Sequence, residues 1–455
     1  MKNSAPPSVP AGALTIIRTL QERGHQALLA GGCVRDWLMD RAPKDWDVAT
    51  DAAPEQVMGL FARTVPVGLK FGIVLVVMDD GQYEVARFRR DGAYRDGRRP
   101  EAVEFTDVEQ DARRRDFTIN GMYYDPLSDR VIDLVGGRAD IQRRVVRTIG
   151  AADERFGEDY LRLLRAARFA ARFDFALDDE TRVAMQRGAP HLGAISAERI
   201  RDELTRILVE GGAARGLQIL LDTGLLTQVL PEVAAMEGVP QPAEFHPEGD
   251  VWTHVKMVLD GLDNPSETLA WSALLHDIGK PPTMTVAKRI RFDGHDRVGA
   301  EMARVICQRL RLSNWATERV FQLTVQHMRI RHVRDMRASK LKRLLRADYF
   351  AELLELHRID CLASHGKLDL YEFCRQQLAA EGEEELRPVR LLSGDDLIAM
   401  GYVAGPVFKE ILAAVEDGQL EGRLVDRDGA MAFVRANYGD REGGWPSVTK
   451  PPASL

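Results

Sequence analysis

Two aspartates and a glycine pair near the N-terminus are the residues of this chain best suited to chemistry. Gly31-Gly32 predicts a turn that opens into a helix, and such a turn exposes backbone N–H groups that suit a triphosphate. Asp45 and Asp47 stand one residue apart, so their carboxylates would share a face if the run is a strand. Paired carboxylates can hold the two Mg²⁺ ions that assist in-line attack on phosphorus. Either pattern alone is usually structural, but their closeness in sequence favours nucleotidyl transfer.

A second set of polar residues could hold a nucleotide. Arg115 with Asp116 would form a guanidinium fork held by a carboxylate, which suits a phosphate, and Asn120 can contact a ribose hydroxyl. Asp159 and Arg162 are three residues apart and would share one face of a helix. An acceptor beside a donor complements the Watson–Crick edge of a base. Standing alone, this pair would be interpreted as a surface ion pair.

Arginine is unevenly distributed in a chain whose formal net charge is −7. Two stretches, residues 87–115 and 138–172, are dense in it. Their arginines include Arg87, Arg89, Arg90, Arg95, Arg98, Arg99, Arg113, Arg114 and Arg115, then Arg143, Arg144, Arg147, Arg162, Arg165, Arg168 and Arg172. Arginine forks bind phosphate bidentately, so the clustering favours a polyanion in one cleft. Any single member is equally consistent with a solvated helix face.

Histidines and aspartates further along the chain follow an order typical of a metal site. The candidate ligands are His254, His276, Asp277, His295, His327 and Asp360. His276 and Asp277 end an apolar segment over residues 269–275, and a helix there could turn both side chains toward one cation. Ligands so far apart in sequence converge only in a folded helical bundle. Sequence spacing alone therefore does not establish a metal site, and the alternative is a helical domain that only binds RNA.

A series of motifs occurs in the order and spacing of one known family. The motifs are GGCVRD (31–36), DWD (45–47), RRRDFTIN (113–120), DLVGGRAD (133–140), EDYLR (158–162) and SAER (196–199). Over roughly residues 27–205 the chain resembles the class II tRNA nucleotidyltransferases, which comprise CCA-adding enzymes and bacterial poly(A) polymerases. Gly121 and Tyr123 depart from the small alanines common in that family. The histidine pattern resembles that of HD-domain proteins.

The resemblance implies roles for individual residues. Asp45 and Asp47 would be the catalytic carboxylates and bind Mg²⁺. The nucleotide-binding residues would be Gly31, Gly32, Arg35, Arg115, Asp116, Asn120, Asp159, Arg162 and Arg165. Within that set the glycines and Arg35 would cradle the triphosphate, and Asp159 with Arg162 would select the incoming base. The HD resemblance implies that the six histidine-site ligands hold a divalent metal of unknown identity, and it allows a secondary phosphohydrolase activity.

The implied function is template-independent addition of CCA, or of the terminal A alone, to the 3′ end of tRNA. The expected partners are tRNA, ATP and CTP, and pyrophosphate would be released; no protein partner can be inferred. Two alternatives stay open: a bacterial poly(A) polymerase, and an HD phosphohydrolase whose head only binds RNA. A polar stretch over residues 89–100 predicts a mobile loop, and the resemblance implies that this loop helps to switch from C to A addition. Its intact length argues against an enzyme that adds only CC.

Composition argues against some other classes of protein. No run of eighteen apolar residues occurs, so no membrane span is expected. The first twelve residues carry one lysine and no apolar core, and they predict a frayed tail rather than a signal peptide. The four cysteines are scattered, with no short metal-binding spacing, which favours free thiols in the cytoplasm.

The elements that must position these residues follow from hydrophobic patterning. A helix is expected from residue 11, followed by a short strand over residues 27–30. An apolar strand over residues 71–78 should turn and return as a hairpin. Further strands are expected at 103–105 and 131–134. After Gly150 the pattern becomes helical, with one helix over 159–171 and another starting at the SAER motif.

These elements predict an α/β nucleotidyltransferase head, with a mixed sheet and helices, followed by helical domains. The chain is too long for one hydrophobic core. The predicted parts are a head (1–148), an all-α neck (149–237), an HD-type helical domain (238–385) and a small helical tail (386–455). Within the tail, the end from residue 443 is expected to be disordered.

Overall fold

The structure is a computed structural model in which residues 8–92, 103–242, 244 and 246–439 are described. The chain forms two compact units, Met1–Phe321 and Gln322–Leu455. The finer division into head, neck, HD domain and tail stays a prediction. Of the predicted mobile loop, residues 93–100 lie outside the described residues, as does the C-terminal end from residue 440. None of the helices in the described ranges has the length and apolar content needed to cross a bilayer.

A mixed sheet lies at the centre of the N-terminal part of the first unit. The strands are β1 (Ala27–Ala30), β2 (Val48–Thr50), β3 (Thr64–Gly68), β4 (Ile73–Met78), β5 (Gly81–Arg87), β6 (Arg89–Asp91), β7 (Val103–Phe105), β8 (Met122–Asp125), β9 (Arg130–Asp133), β10 (Val145–Val146), β11 (Ala176–Leu177), β12 (Met284–Val286) and β13 (Ile290–Phe292). The seven-stranded sheet has the order β3-β4-β5-β2-β1-β8-β9. Its neighbours are antiparallel except β2 and β5, which run parallel.

Helices flank this sheet and make up nearly all the rest of the described chain. They are α1 (Ala11–Glu22), α2 (Gly32–Leu38), α3 (Pro54–Leu60), α4 (Val108–Arg113), α5 (Gly137–Arg143), α6 (Ala152–Glu158), α7 (Leu161–Phe173), α8 (Asp179–Gly188), α9 (Ala197–Val209), α10 (Ala213–Asp222), α11 (Leu225–Val229), α12 (Pro231–Ala234), α13 (Val251–Asp260), α14 (Glu267–Leu275), α15 (Lys280–Thr283), α16 (His295–Arg309), α17 (Asn314–Gln326), α18 (Ala338–Leu345), α19 (Phe350–Ala363), α20 (Asp369–Ala380), α21 (Glu383–Leu386), α22 (Gly394–Ala399), α23 (Pro406–Leu420) and α24 (Arg427–Tyr438). The predicted fold class, a mixed α/β head followed by helical regions, is confirmed.

The first helix and first strand form where the apolar pattern predicts them. Ile16, Ile17 and Leu20 are fully buried because they recur on one side of α1. All residues of β1 are buried, as expected for a strand with neighbours on both sides. The predicted hairpin is also confirmed, with Met78 opposite Gly81. Its first strand starts at Ile73 rather than Phe71, because Leu69–Phe71 forms a 3₁₀ turn.

The structure corrects two predictions about local structure in the head. Asp45 and Asp47 precede β2, which begins only at Val48, so the predicted strand does not include them. Part of the predicted loop is also a strand, because Arg89–Asp91 pairs antiparallel with Val103–Phe105. Short strands next to polar turns have too few residues for alternation to mark their ends.

The helix predicted over residues 159–171 begins two residues later. α6 ends at Glu158 and α7 begins at Leu161, while Asp159 between them has an extended backbone (φ −150°, ψ 103°). α7 is buried along most of its length and packs against α9 and α10. The predicted helix start at the SAER motif is confirmed, because α9 begins directly after Ser196.

The histidine region of the first unit is built on an apolar helix, as predicted. α14 is buried from Thr268 to Leu275, so it has no solvent-facing side over this length. Trp271 is anchored at its polar end, because its indole Nε1 donates to Thr205 Oγ1 of α9 at 3.0 Å. His276 and Asp277 follow directly after this buried helix. A helix end without solvent access places both side chains in the interior.

The second unit is helical among its described residues, which confirms the predicted class of the C-terminal part. A separate apolar core forms in its last helices. This core consists of Leu392, Leu397, Tyr402, Ile411, Val415, Leu424, Ala430 and Val434. Its helix α22 is closed by a capping box, in which Ser393 Oγ accepts from Asp396 N and the Asp396 carboxylate accepts from Ser393 N.

Candidate functional sites

Asp45 and Asp47 stand at the start of a central strand of the sheet. The Asp47 carbonyl oxygen accepts a hydrogen bond from Ala30 N at 3.0 Å, which ties this position to β1. Both aspartates are exposed to solvent. The prediction that the two carboxylates share one face of a strand is wrong, because strand β2 starts after both residues. They are nevertheless held beside the glycine turn, because Ala30 directly precedes Gly31.

The surroundings of Asp47 disfavour its own negative charge. Burial by protein atoms, followed by the nearby carboxylates of Glu84 and Asp45, raises the pKa of Asp47 to about 6, while Arg115 opposes this shift. The side chain is crowded on one side yet still reaches solvent. A bound cation would relieve this repulsion, because it adds positive charge among carboxylates. The residues present therefore fit a divalent metal.

Glu84 is a candidate site residue that sequence analysis missed. It is exposed on β5, which pairs parallel with β2 so that Val85 stands opposite Val48. Glu84 therefore lies beside Asp47, which directly precedes β2. The only signal in the sequence is an acid at an outward position of an alternating strand. The pairing of β2 with β5 is non-local and could not be read from that signal.

The glycine pair forms the predicted turn into a helix. Gly31 has φ +72°, a conformation that side-chain-bearing residues rarely adopt, and α2 begins at Gly32. A Cβ atom at Gly31 would lie only 2.6 Å from Arg115 Nη1. Glycine therefore permits both the turn and the close approach of Arg115. This arrangement places a guanidinium beside the backbone that was predicted to meet a triphosphate.

Arg115 is held by a different carboxylate from the one predicted. Its Nη2 lies 3.2 Å from Asp111 Oδ2, and its Nε donates to Tyr123 Oη at 3.2 Å. Tyr123 in turn donates to Asp111 Oδ2 at 2.6 Å. Asp116 does not hold Arg115 as predicted, because its carboxylate binds Arg165 instead. Tyr123, which departs from the family pattern, thus helps to fix an arginine whose side chain is still 20% exposed.

A polar network joins α2 of the head to α7. Arg35 Nη1 donates to Asn120 Oδ1 at 2.6 Å, and Asn120 Nδ2 donates to Asp116 Oδ1 at 2.9 Å. Asp116 Oδ2 then accepts from Arg165 Nε at 2.9 Å. Burial alone would raise the pKa of Asp116, but Arg165 and Asn120 hold it well below its ordinary range. The predicted binding residues are therefore paired with one another.

Arg35 has the contacts of a framework residue. It is buried, its Nε donates to Asp36 Oδ1 at 2.8 Å, and its guanidinium lies 4.7 Å from the ring centroid of Phe173. Burial lowers the pKa of Arg35, and the adjacent Asp36 opposes this effect. These contacts direct Arg35 toward α7 and Asn120. The triphosphate role implied by the resemblance stays a prediction.

Asp159 and Arg162 do not pair with each other. Asp159 Oδ2 accepts from Arg199 Nη2 at 2.7 Å, and its Oδ1 accepts from Leu161 N at 3.1 Å. Arg162 binds the Glu158 carboxylate and donates to the carbonyl oxygen of Arg155 at 2.8 Å. The prediction of a shared helix face is wrong because Asp159 lies before the helix. The contact to Arg199 instead joins the EDYLR and SAER motifs.

In the first unit, buried histidines turn their Nε2 atoms toward Asp277. Nε2 of His276 lies 3.2 Å from Asp277 Oδ2. Nε2 of His254 lies 3.7 Å from the same oxygen and 3.3 Å from Nε2 of His276. Nε2 of His295 lies 3.5 Å from Oδ1. The structure thus brings together four of the six residues predicted to bind the second metal.

A lysine completes the surroundings of Asp277. Lys280 Nζ lies 2.6 Å from Asp277 Oδ2 and donates to Gln241 Oε1 at 2.6 Å. Although burial alone would raise the pKa of Asp277, Lys280 and the imidazoles of His276 and His254 hold it well below its ordinary range. Imidazole nitrogens with a carboxylate are donors suited to a divalent transition metal. The donor set therefore fits a metal, with a cationic side chain beside it.

The other two predicted ligands belong to the second unit. His327 is buried at the start of a 3₁₀ segment, His327–Asp335, and its Nδ1 lies 2.6 Å from the carbonyl oxygen of Thr324. Asp360 lies in α19 and is partly buried. Their roles as metal ligands stay predictions.

Family models match three segments of the chain. The poly A polymerase head domain matches residues 27–147, a probable RNA and SrmB-binding site of polymerase A matches 174–237, and the HD domain matches 250–363. The CCA-adding enzyme of Bacillus cytotoxicus is 32% identical over 425 residues, covering 92% of this chain and 96% of that relative. The chain belongs to the CCA-adding enzyme family.

Other CCA-adding enzymes match a shorter stretch at higher identity. That of Geobacillus kaustophilus is 47% identical over 224 residues, which are 49% of this chain and 55% of the relative. The chain thus spans about half the length of these relatives. A solved CCA-adding enzyme, that of Bacillus stearothermophilus in complex with CTP, has a TM-score of 0.73 and 28% identity, covering 94% of this chain and 98% of that one.

Proposed function

We propose that this protein adds nucleotides to the 3′ end of tRNA, using CTP and ATP and releasing pyrophosphate. The main observation in favour of this function is the group of acidic side chains around Asp47, beside the Gly31 turn. Burial, together with repulsion from Glu84 and Asp45, raises the pKa of Asp47 to about 6, and a bound cation would relieve both effects. Membership of the CCA-adding family and the match to an RNA-binding model over residues 174–237 support the same conclusion.

In this reaction the RNA 3′-hydroxyl attacks the α-phosphate of the bound nucleotide and pyrophosphate leaves. Asp45 and Asp47 would hold Mg²⁺, which when bound favours ionisation of the hydroxyl and stabilises charge on the departing oxygen. Arg115, fixed by Asp111 and Tyr123, is positioned to bind phosphate oxygens. The network that links Asn120 to α7 keeps this wall of the site in place. No covalent enzyme intermediate is required.

Base selection is assigned to Asp159 with Arg162. Cytosine and adenine each present an exocyclic amine, whereas uracil and guanine present a carbonyl oxygen at the corresponding edge position. A carboxylate can accept from an amine and would repel a carbonyl oxygen. Arg199 holds Asp159 Oδ2 at 2.7 Å, so the carboxylate is fixed before the base arrives. The entropy cost of ordering the Asp159 side chain is therefore already met when the protein folds.

The expected setting is the cytoplasm. All cysteines of the described residues are free and buried, as is usual for proteins of a reducing compartment. Burial raises the pKa of the thiols of Cys33 and Cys307 to about 12, so neither is poised to form a disulfide.

Three tRNA transcripts would distinguish the possible products. They end at the discriminator base, at the first C and at CC, and each is incubated with a single nucleotide triphosphate or with CTP and ATP together. A CCA-adding enzyme extends all three and stops after A. An enzyme that adds only A extends the last transcript alone, and a poly(A) polymerase continues past one A. Failure to extend any transcript would contradict the proposal.

A second activity, phosphoester hydrolysis, is favoured by the convergence of histidine Nε2 atoms on Asp277. Lys280 beside that carboxylate would bind the negative charge of a phosphoester. We expect slow hydrolysis of a generic phosphodiester that needs a divalent metal. His276→Ala with Asp277→Ala should abolish it and leave nucleotide addition unchanged. Hydrolysis at the wild-type rate by that double variant would show that the histidine site is not its source.

A further inference from the structure

A glutamate outside the predicted ligand set orients one histidine of the metal site. Glu248 lies before α13, and its side chain is only 4% exposed. Its Oε1 lies 2.7 Å from His254 Nδ1 and 2.8 Å from His246 Nδ1. The ring of His246 also meets the ring of His254 edge to face, with centroids 4.9 Å apart. One carboxylate oxygen thus fixes two imidazoles.

This contact determines which nitrogen of His254 carries a proton. An ionised carboxylate can only accept hydrogen bonds, so the nitrogen facing it, Nδ1, must be the protonated one. The lone pair of a neutral His254 then lies on Nε2, the atom that faces His276 and Asp277. A carboxylate behind a ligating imidazole also increases the basicity of the nitrogen that binds metal.

The other two histidines are fixed in the same way by the backbone. His276 Nδ1 lies 2.9 Å from the carbonyl oxygen of Ala273, and His295 Nδ1 lies 2.8 Å from that of Phe292. All three rings therefore present Nε2 lone pairs to the same place. Backbone acceptors cannot be removed by substitution, whereas Glu248 can. Glu248 is thus the residue through which this arrangement can be tested.

We propose that Glu248 is a positioning residue of the histidine site, which sets the tautomer of His254 and so determines metal affinity. The inference rests on the metal site proposed above. Loss of such a supporting carboxylate typically weakens metal binding 10- to 100-fold. His246 would contribute by holding the same oxygen, so its removal should have a smaller effect. Nucleotide addition depends on the head residues and should not change.

The test compares Glu248→Ala and Glu248→Leu, which both remove the hydrogen-bond acceptor, with wild type in the full chain. Glu244→Ala is the matched control, because Glu244 lies on the same segment and is exposed. Long-range ¹⁵N–¹H spectra of the histidine side chains report the His254 tautomer without metal. Titration with Co²⁺, followed by its visible absorption, reports affinity. Melting temperature and nucleotide addition report folding, and Glu248→Leu, which fills more of the space of the glutamate, serves if the alanine variant unfolds.

We expect wild-type His254 to carry its proton on Nδ1, and Glu248→Ala to lose that preference and bind Co²⁺ about 10- to 100-fold more weakly. The control should match wild type in both measurements. Unchanged tautomer and unchanged affinity in the folded glutamate variants would overturn this inference alone. A wild-type protein whose Co²⁺ spectrum is identical to that of His276→Ala with Asp277→Ala would overturn the metal site itself, and this inference with it.

Discussion

The head and the histidine region of the first unit arrange their charged groups in opposite ways. Where the head meets α7, the guanidinium of Arg165 is paired with Asp116, and Asn120 continues the contact to Arg35. In the histidine region, Nε2 atoms of His254 and His276 face each other at 3.3 Å beside a carboxylate. The first arrangement satisfies its polar groups internally. The second brings imidazole nitrogens and a carboxylate, which are potential metal ligands, together in one place.

This difference distinguishes a structural framework, in the first region, from a ligand-binding site, in the second. The head framework is complete by itself, and the repulsive part is confined to the carboxylates around Asp47. Substitutions in the framework should therefore cost stability, whereas those at Asp47 should cost activity. In the histidine region the same atoms would do both tasks, because the rings that form the interior also face the cation.

The largest expected effect is at Asp47. Asp47→Asn should lower the rate constant for nucleotide addition about 1000-fold or more, because metal-assisted charge stabilisation contributes several kcal/mol. Asp79→Asn is the control, since Asp79 is an exposed turn carboxylate of the same sheet. The measurement is single-nucleotide addition to a tRNA ending in CC. A rate within tenfold of wild type would show that Asp47 is not part of the catalytic centre.

Asp116→Asn tests the framework. It removes the carboxylate that binds the partly buried Arg165 and leaves Glu203, 3.8 Å away, as a weaker partner. We therefore expect unfolding to become easier by roughly 1–3 kcal/mol at pH 7, measured by urea denaturation. The folded-state pKa of Asp116 lies below its ordinary value of 3.8, so this stabilisation is full above that pH and shrinks as pH falls through it. Glu109→Gln, in an exposed pair with Arg113, is the control and should change little. Equal stability of both variants would contradict the framework role.

Asp159→Ala should relax base selection more than it weakens triphosphate binding. Losing a buried hydrogen-bond partner costs roughly 1–3 kcal/mol, so the preference for ATP over GTP should fall by about 5- to 150-fold. Arg199→Ala should have a smaller effect, because the carboxylate remains but is no longer held. Values of kcat/KM for the four nucleotides measure this. A selectivity identical to wild type in Asp159→Ala would exclude it from base reading.

The smallest expected effect is a shift of the acidic limb of the pH profile. Protons and Mg²⁺ compete for Asp47, whose pKa stands near 6 without metal. At limiting Mg²⁺, nucleotide addition should fall as pH falls through about 6. Raising Mg²⁺ should move this fall to lower pH, since the cation favours the ionised carboxylate. An acidic limb that does not respond to Mg²⁺ would argue against a metal at Asp47.

Local features of the head could be predicted from sequence, whereas its contacts could not. The α1 helix, β1 and the hairpin follow from apolar spacing, and the Gly31 turn follows from residue type. Asp45 and Asp47 stand out as a pair in the sequence, and their role stays a prediction; their placement before β2 depends on where a three-residue strand starts. A strand of three residues is too short for hydrophobic periodicity to distinguish it from the neighbouring turn.

The partners of each site residue needed the fold. Arg115 is held by Asp111 and Tyr123 rather than by its neighbour Asp116, because a short helix places i and i+4 together. Asp159 meets Arg199, forty residues away, once a break in the helix turns it aside. Glu84 stands on β5, whose pairing with β2 is non-local. Sequence spacing carries no information about such contacts.

We expect nucleotide transfer to depend on the head carboxylates and not on the histidine site. One measurement tests it directly: the fraction of tRNA ending in CC that gains one A with ATP, compared between Asp45→Asn/Asp47→Asn and His276→Asn. The account predicts no extension by the aspartate variant and wild-type extension by folded His276→Asn. Extension by the aspartate variant, or its loss in folded His276→Asn, would contradict it.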